Sequence, residues 1–378
     1  MPKHARILAP AVVLAALFAA CTPGQPQGAS TNPESTTTVA PTTTMAPTTV
    51  APTTSVAPVA GPEARGYLAM TTVDNNGVML FGGFSTPPRP DGDGTPLLDA
   101  WLLATTADGW SSLSGAPLSG DSIAYDAQSR RVLAYIFFEA DWRVVDPQLW
   151  AYDPEANQWE QMSEDGVPDG MWAPHLVYDE ESDITILIGP PDPSPNPETA
   201  TWAFDHGTDT WVDLKPANAM PRRWFPAMAY DPGCDRVIVF GGFPNAASDE
   251  TSSETWGYDY NTNTWTDLAP AVSPSARAYA AMAYDPASQR MILFGGQPYP
   301  ESIGDTWAYE CESNLWTELL TDVGPSQRGK HAMAYNPIDG KIVLFGGATI
   351  VGGGPKWEAL PAETWIFDPA DNTWTRAS

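Results

Sequence analysis

Four arginines occupy matching places in the sequence, each a few residues ahead of a short run such as Met228-Ala229-Tyr230-Asp231. They are Arg65, Arg223, Arg277 and Arg328. A guanidinium group binds a carboxylate through two parallel hydrogen bonds, so four of them in one domain could capture an anionic ligand. Alternatively, each arginine forms an ion pair with a neighbouring Asp or Glu across the boundary between two repeated units, in a chain that has 46 acidic residues against 18 basic ones. Both interpretations are open from the residues alone.

Histidine is scarce, and this limits the acid–base and metal chemistry available to the chain. Beyond the first 20 residues only His175, His206 and His331 remain. They do not form a pattern that predicts a Ser-His-Asp triad or a three-histidine metal site. His331 with Arg328 is the best available pair for acid–base catalysis. We therefore leave enzymatic activity uncertain, with a role other than catalysis favoured.

One short acidic segment could hold a hard cation. In Asp91-Gly92-Asp93-Gly94-Thr95, the carboxylates of Asp91 and Asp93 and the backbone oxygens offer ligands of the kind that Ca²⁺ prefers. The segment is too short for an EF-hand loop and lacks its distal glutamate, so a solvated Asp-Gly turn is the favoured interpretation. The sequence otherwise predicts no cofactor.

A repeated unit accounts for most of the chain and must position these residues. The clearest unit has Met228-Ala229-Tyr230-Asp231, then Val237 to Gly242, then Glu254-Thr255-Trp256, and ends near Trp265. The final tryptophans of successive units are 49 to 58 residues apart. They are Trp110, Trp159, Trp211, Trp265, Trp316 and Trp374. The chain therefore contains six units.

These units resemble kelch repeats, whose period is about 50 residues. The resemblance implies an all-β fold over residues 63–378, a six-bladed β-propeller with four antiparallel strands per blade. It places the blades near residues 64–113, 121–160, 174–214, 224–268, 277–319 and 329–376. Galactose oxidase shares this kind of fold, but its histidine ligands and cysteine-linked tyrosine have no counterpart here, so the resemblance implies fold and not activity.

The four strands of each predicted blade are called a to d in chain order. In such a propeller the loops between strands b and c share one face with the loops that join one blade to the next. Of the 16 tryptophans, twelve occupy the two repeat positions, and the other four all map to loops of this face: Trp142, Trp172, Trp224 and Trp357. Exposed aromatic rings stack on sugars, apolar side chains or cations. The resemblance also implies that the four arginines look into the central pocket of this face. The alternative is that the tryptophans only cover loop hinges.

Two cysteines of the repeat region map to the opposite face. Cys234 falls in the turn between strands a and b of the fourth blade, and Cys311 in the turn between strands c and d of the fifth. In an oxidising compartment they could form a disulfide bond if their Cα atoms lie within about 7 Å. Two separate thiols are the alternative.

The first 62 residues carry signals of export. A basic start, an apolar run from Ile7 to Ala20 and then Cys21 resemble a bacterial lipoprotein signal peptide over residues 1–20, with Cys21 as the lipidated residue. Phe18 departs from the aliphatic residue typical of that motif, so cleavage without lipidation is also open. Residues 21–62 are rich in Thr, Pro and Ala and predict a disordered tether. We expect a chain that is outside the cytoplasm and held at a bacterial membrane only by its lipid.

Taken together, the sequence favours a monomeric, surface-displayed binding module that recognises a glycan or a protein. A net charge of −28 argues against nucleic acid as a partner. A carbohydrate-active enzyme that resembles a sugar epimerase or mutarotase is the second hypothesis. A structural envelope protein is the third.

Overall fold

The computed structural model describes residues 61–85, 95–115, 122–138, 144–162, 166–171, 173–191, 198–244, 250–298, 301–350, 357–359 and 361–377. They belong to one compact unit, Ala57–Ser378. The predicted signal peptide, Cys21 and the tether up to residue 60 lie outside the described residues. Within the described part of the chain, no helix has the length and apolar character needed to cross a membrane.

Six four-stranded antiparallel sheets make up the fold, and the strands of each sheet are named a to d in chain order. The a strands are Ala69–Val73, Ser122–Asp126, His175–Asp179, Ala227–Asp231, Ala281–Asp285 and Ala332–Asn336. The b strands are Gly77–Phe81, Arg131–Phe138, Ile184–Gly189, Arg236–Phe240, Arg290–Phe294 and Lys341–Phe345. The c strands are Ala100–Leu103, Val144–Asp153, Ala200–Asp205, Thr255–Asp259, Thr306–Glu310 and Thr364–Asp368. The d strands are Ser111–Ser112, Gln158–Gln161, Thr210–Asp213, Thr264–Asp267, Leu315–Leu319 and Thr373–Arg376.

Every sheet has the order a-b-c-d, so each repeat unit is one blade. Two short antiparallel pairs lie beside the blades: Arg65–Gly66 with Phe84–Ser85, and Ala348–Ile350 with Trp357–Ala359. The prediction of an all-β, six-bladed propeller with four antiparallel strands per blade is confirmed. Blades are numbered 1 to 6 from here on.

The b strands are apolar over most of their length because both of their faces are covered by neighbouring blades. In blade 4 the residues Val237 to Phe240 are at most 1% exposed. Val237 and Val239 pack into a cluster with side chains of blade 3, whereas Ile238 and Phe240 pack with side chains of blade 5. Alternating side chains of one strand thus stabilise two blade interfaces by burying apolar area.

The glycine pair after strand b makes room for the backbone of the following blade. Gly241 and Gly242 have positive φ angles of 75° and 86°. A Cβ atom on Gly241 would lie only 2.3 Å from the carbonyl oxygen of Arg277. That oxygen instead accepts a 2.8 Å hydrogen bond from the N–H of Gly242. The repeated Gly-Gly therefore marks a point where two blades meet through their backbones.

A ladder of indole hydrogen bonds joins the outer parts of neighbouring blades. The strand d tryptophan of one blade donates its Nε1–H to a threonine at the start of strand c in the preceding blade. The pairs are Trp265 to Thr201, Trp316 to Thr255, and Trp374 to Thr306, each at 3.0 Å. Because these indoles are almost completely buried, each bond satisfies a donor that would otherwise be costly to bury.

The ring closes between blades 6 and 1 through these same contacts. Gly347 donates its N–H to Arg65 O at 2.8 Å, and Trp110 donates its indole N–H to Thr364 Oγ1 at 2.9 Å. All four strands of blade 1 come from residues 69–112, and all four of blade 6 come from residues 332–376. Closure therefore depends on contacts between complete blades, without a blade shared by the two ends of the repeat array.

Candidate functional site

Four residues at matching positions of four blades converge on the axis of the ring. Each lies two residues after one of the four arginines: Tyr67, Phe225, Tyr279 and Lys330. Their backbones are linked from blade to blade, because Tyr279 N–H donates to Phe225 O, Lys330 N–H to Tyr279 O, and Tyr67 N–H to Lys330 O, each at 3.0 Å. In a ring of six blades, blade 1 faces blade 4. The 5.9 Å separation of the Tyr67 and Phe225 rings therefore spans the axis.

Two further aromatic residues of the described part of the chain join this group, and both follow a b strand. Phe84 lies 6.1 Å from Tyr67, and Phe243 lies 5.5 Å from Tyr279, measured between ring centroids. Phe225 and Tyr279 are the closest pair, at 4.6 Å. All of these rings are half-buried, so each presents part of its surface to solvent. We call Tyr67, Phe84, Phe225, Phe243, Tyr279 and Lys330 the axial cluster.

Lys330 places a positive charge over the aromatic rings of the axial cluster. Its ammonium nitrogen is 4.1 Å from the centroid of Tyr67 and 5.0 Å from that of Tyr279. Both distances are within the range of cation–π attraction. The arrangement offers flat apolar surface and one ammonium group at the same opening.

The backbone of the axial cluster adopts a conformation that side chains rarely favour. Tyr67, Phe225, Tyr279 and Lys330 have φ angles of 54°, 53°, 57° and 61°. Bulky residues in this left-handed region are uncommon and cost about 1–3 kcal/mol each. Such conformations persist where the surrounding structure determines them, and they concentrate at ligand-binding sites. In blade 3 the corresponding residue is Ala173, whose φ is 45°.

The four arginines do not line this opening, which differs from the expectation that their guanidinium groups look into the central pocket. The exposed fractions are 0% for Arg65, 6% for Arg223, 1% for Arg277 and 0% for Arg328. Each forms an ion pair with an acidic residue just before strand c of its own blade. The acids are Asp99, Glu254, Asp305 and Glu363. The alternative interpretation, pairing with neighbouring acidic residues between blades, was right about ion pairing but wrong about its place, because each pair lies within one blade.

Blade 5 shows how the pairing is built. Arg277 donates to both carboxylate oxygens of Asp305, at 2.5 and 2.9 Å, and also to the carbonyl oxygen of Gly295 at 3.0 Å. Asp305 accepts a further bond from the indole N–H of Trp307 at 2.8 Å. Burial raises the pKa of Asp305, but the hydrogen bond and charge of Arg277 outweigh it and hold the pKa below its usual value. The carboxylate is therefore ionised at neutral pH, and the pair ties the loop before strand a to strands b and c.

His331, the other residue predicted for catalysis, lies inside the protein next to the axial cluster. It is 6% exposed, and neither ring nitrogen has a hydrogen-bond partner among the described residues. Burial, assisted by the nearby charge of Arg328, lowers its pKa to about 3. The imidazole is therefore neutral at physiological pH. Its ring packs edge-on against Phe294 at 5.6 Å and does not reach the opening.

The lowered pKa of His331 predicts a loss of stability in mild acid. Below about pH 6.5 the unfolded chain binds a proton at this residue, whereas the native state does not until the pH approaches 3. Between pH 7 and pH 4.5 this difference lowers the free energy of unfolding by about 2.5 kcal/mol. His331→Leu should remove that part of the pH dependence, and Leu68 occupies the matching position of blade 1. Urea unfolding of the wild type and of His331→Leu at the two pH values measures this contribution. Identical pH dependence of the two proteins would contradict a lowered pKa of His331.

A carboxylate–imidazole–hydroxyl chain lies at the interface of blades 2 and 3. Asp126 Oδ2 is 3.0 Å from His206 Nδ1, and His206 Nε2 is 3.0 Å from Thr185 Oγ1. Burial raises the pKa of Asp126, but hydrogen bonds from His206 and Ser129 outweigh it and lower the pKa to about 2. Asp126 and Thr185 are both completely buried, so a substrate has no access to the hydroxyl. This row of three side chains therefore connects two blades and is not an active site.

The other predicted site residues are only partly covered by the structure. Trp224 is half-buried on the face of the axial cluster, with the guanidinium carbon of Arg222 5.3 Å from its ring centroid. Trp142, Trp172, Asp91 and Asp93 lie outside the described residues, and only the backbone of Trp357 is described. Sequence analysis missed the axial cluster, although its signal is visible in the Tyr, Phe, Tyr and Lys found two positions after the arginines.

On the opposite face, Cys234 and Cys311 are joined by a disulfide bond between blades 4 and 5. Their Cα atoms are 6.3 Å apart, which is within the limit for such a bond. A separate shallow depression of about 350 Å³ lies between blades 1 and 2, where it is lined by Trp150, Trp159 and Asn157 among others. The depression is remote from the axis and contains none of the predicted site residues.

Comparison with known proteins supports the kelch character of the repeats. Residues 233–378 match the model of the KLHDC2/KLHL20/DRC7 Kelch-repeats domain. The chain is 26% identical over 168 residues to Mei4-dependent protein 6 of Schizosaccharomyces pombe, covering 40% of this chain and 23% of that protein. It is 32% identical over 113 residues to a Kelch repeat-containing protein of Arthroderma benhamiae, covering 28% of this chain and 16% of that protein. The chain thus spans less than a quarter of either relative. Its fold is a six-bladed β-propeller, and over residues 233–378 it is similar to Kelch repeats.

Proposed function

We propose that this chain is a binding module and that its ligand, a segment of another protein, docks on the axial cluster. The observation that supports this is the meeting of half-buried aromatic rings from opposite blades at one opening. Aromatic side chains are enriched among the residues that dominate binding energy at protein interfaces, because they bury large area with little loss of conformational freedom. Lys330 adds a preference for a segment in which an acidic group lies beside an apolar side chain.

A glycan is the second candidate for the same surface. The C–H faces of a sugar ring stack on aromatic side chains, and the tyrosine hydroxyls of Tyr67 and Tyr279 could bond to sugar hydroxyls. We do not propose catalysis by Arg328 and His331, because both side chains are buried away from the opening.

The binding proposal is tested with the full chain and the double variant Tyr67→Ala/Phe225→Ala. The blade-to-blade hydrogen bonds at these positions are made by the backbone, so we expect the fold to survive the truncation of both rings. Cross-linked partners from the source cells and a glycan array are the two ligand sources. We expect the variant to lose at least about tenfold in affinity for whichever ligand the wild type selects.

The matched control is Ile338→Ala, which removes an exposed apolar side chain from the turn between strands a and b of blade 6, on the opposite face. It should bind as the wild type does. Equal binding by wild type and double variant would place the ligand elsewhere. A sugar ligand with no protein partner would favour the glycan alternative.

We also propose, from the sequence alone, that Cys21 is lipidated and that the tether holds the propeller outside the cytoplasm. The two relatives described above are fungal, so they do not support a bacterial lipoprotein. The mass of the N-terminal peptide of the mature protein tests this proposal, because an acylated Cys21 is heavier than an unmodified one by its acyl chains.

A further inference from the structure

A buried aspartate beside the disulfide has one oxygen atom without a partner. Asp231 ends strand a of blade 4 and is 1% exposed. Its Oδ1 accepts a 2.8 Å hydrogen bond from the N–H of Gly233 and so caps the turn that carries Cys234. Its Oδ2 has no hydrogen-bond donor among the described residues. An unpaired carboxylate oxygen in the interior destabilises the native state and calls for an explanation.

The same position in other blades shows that the free oxygen is not required by the turn. Asp126 of blade 2 places its second oxygen 3.0 Å from His206. Asp285 of blade 5 accepts from the hydroxyl and the N–H of Ser288. Asn336 of blade 6 donates to two carbonyl oxygens of blade 1. Of the four residues compared, Asp231 is the one whose second atom has neither a hydrogen bond nor an ion pair among the described residues, and its turn is the one that contains a cysteine.

A carboxylate oxygen of Asp231 lies within reach of both sulfur atoms. Ligand atoms of Asp231, Cys234 and Cys311 all lie within 4.8 Å of one another. Two thiolates and one carboxylate are a ligand set suited to a borderline-soft divalent cation such as Zn²⁺, which binds sulfur at about 2.3 Å and oxygen at about 2.0–2.2 Å. The 6.3 Å between the two Cα atoms is compatible with both sulfurs reaching one ion after small side-chain rotations.

We propose that Asp231, Cys234 and Cys311 form a zinc-binding site that the disulfide closes and that reduction opens. An external dithiol transfers two electrons and two protons to the disulfide, becomes a disulfide itself and leaves two protein thiols. Zn²⁺ then displaces the two thiol protons, forms two Zn–S bonds and takes a carboxylate oxygen of Asp231 as its third ligand. Water can supply the fourth ligand of the tetrahedral ion. The site lies on the face opposite the axial cluster, so it is independent of the proposed binding function.

A ligand that binds the native state and not the unfolded chain stabilises the native state. Zinc binding should therefore stabilise the reduced protein in addition to occupying the thiols.

Cobalt titration of the full chain tests the proposal. The protein is reduced with a phosphine that does not itself supply thiols, in a Cys21→Ser background so that only two cysteines remain. We expect the reduced protein to bind one Co²⁺ with thiolate-to-cobalt charge-transfer absorption, and Zn²⁺ to displace it. The oxidised protein should show no such absorption.

Two matched variants distinguish the contribution of Asp231 to metal binding from that of the two cysteines. Asp231→Asn keeps the oxygen that caps the turn, as Asn336 does in blade 6, and should weaken metal binding by about tenfold or more. Asp285→Asn makes the same change in blade 5, whose a–b turn has no cysteine, and should bind cobalt as the wild type does. Absence of the absorption band from the reduced wild type, or equal affinity of Asp231→Asn and wild type, would overturn the proposal.

Discussion

Replacing Arg277 with alanine should lower the free energy of unfolding by about 3 kcal/mol at pH 7. Arg277 has a fully buried side chain that bonds to Asp305, whose side chain is 27% exposed. Removing one partner of a buried ion pair leaves the other charge uncompensated, with a typical loss of about 3–5 kcal/mol. We expect the lower end of this range because water reaches part of Asp305. Urea unfolding followed by tryptophan fluorescence measures the difference.

The controls for this prediction come from the same chain. Arg130→Ala removes an ion pair in which both side chains are mostly exposed, at 66% and 77%, and should leave stability nearly unchanged. Arg223→Ala removes a pair whose acid, Glu254, is 46% exposed, so its effect should be smaller than that of Arg277→Ala. A loss at Arg277 no larger than at Arg130 would contradict a structural role for the pair. It would return this arginine to consideration as a ligand-binding residue.

The partner of each arginine could have been found from the sequence. In four blades an acidic residue lies two positions before the strand c tryptophan, as in Asp305-Thr306-Trp307. These are the four blades that carry the arginines. In blades 2 and 3 the matching residues are Gln148 and Ala200, and the matching arginine is missing as well. In each blade the arginine and the acidic residue are thus either both present or both absent, which is the pattern expected of an internal ion pair.

The axial cluster was harder to predict because two of its determinants are not local. Contact between Tyr67 and Phe225 depends on blades 1 and 4 facing each other across the ring, although the residues are distant in sequence. The left-handed backbone of Tyr279 depends on hydrogen bonds with both neighbouring blades. The sequence has no glycine or asparagine at this position, which would be the usual signal of a positive φ angle. The repeat itself could be predicted from the sequence because the b strand of each unit has apolar side chains on both faces.

Removing the disulfide should lower the free energy of unfolding by about 2–4 kcal/mol. Cys234 and Cys311 are separated by 77 residues, so the bond restricts a long segment of the unfolded chain. The loop-closure account gives about 4.5 kcal/mol for a loop of this length, and we expect the lower range of about 2–4 kcal/mol that is typical of measured disulfides. The double variant Cys234→Ala/Cys311→Ala, unfolded in urea beside the wild type, measures the loss.

Reduction of the wild type distinguishes the contribution of the disulfide from that of the side chains replaced. In the presence of a metal chelator, the reduced wild type should match the double variant, because both then lack the restriction on the unfolded chain. A reduced wild type as stable as the oxidised protein would show that the bond contributes nothing. When Zn²⁺ replaces the chelator, the reduced wild type should regain stability and the double variant should not, because a ligand that binds only the native state stabilises it. The same two cysteines would then stabilise the junction of blades 4 and 5 in either redox state, by a covalent bond in one and by a shared ion in the other.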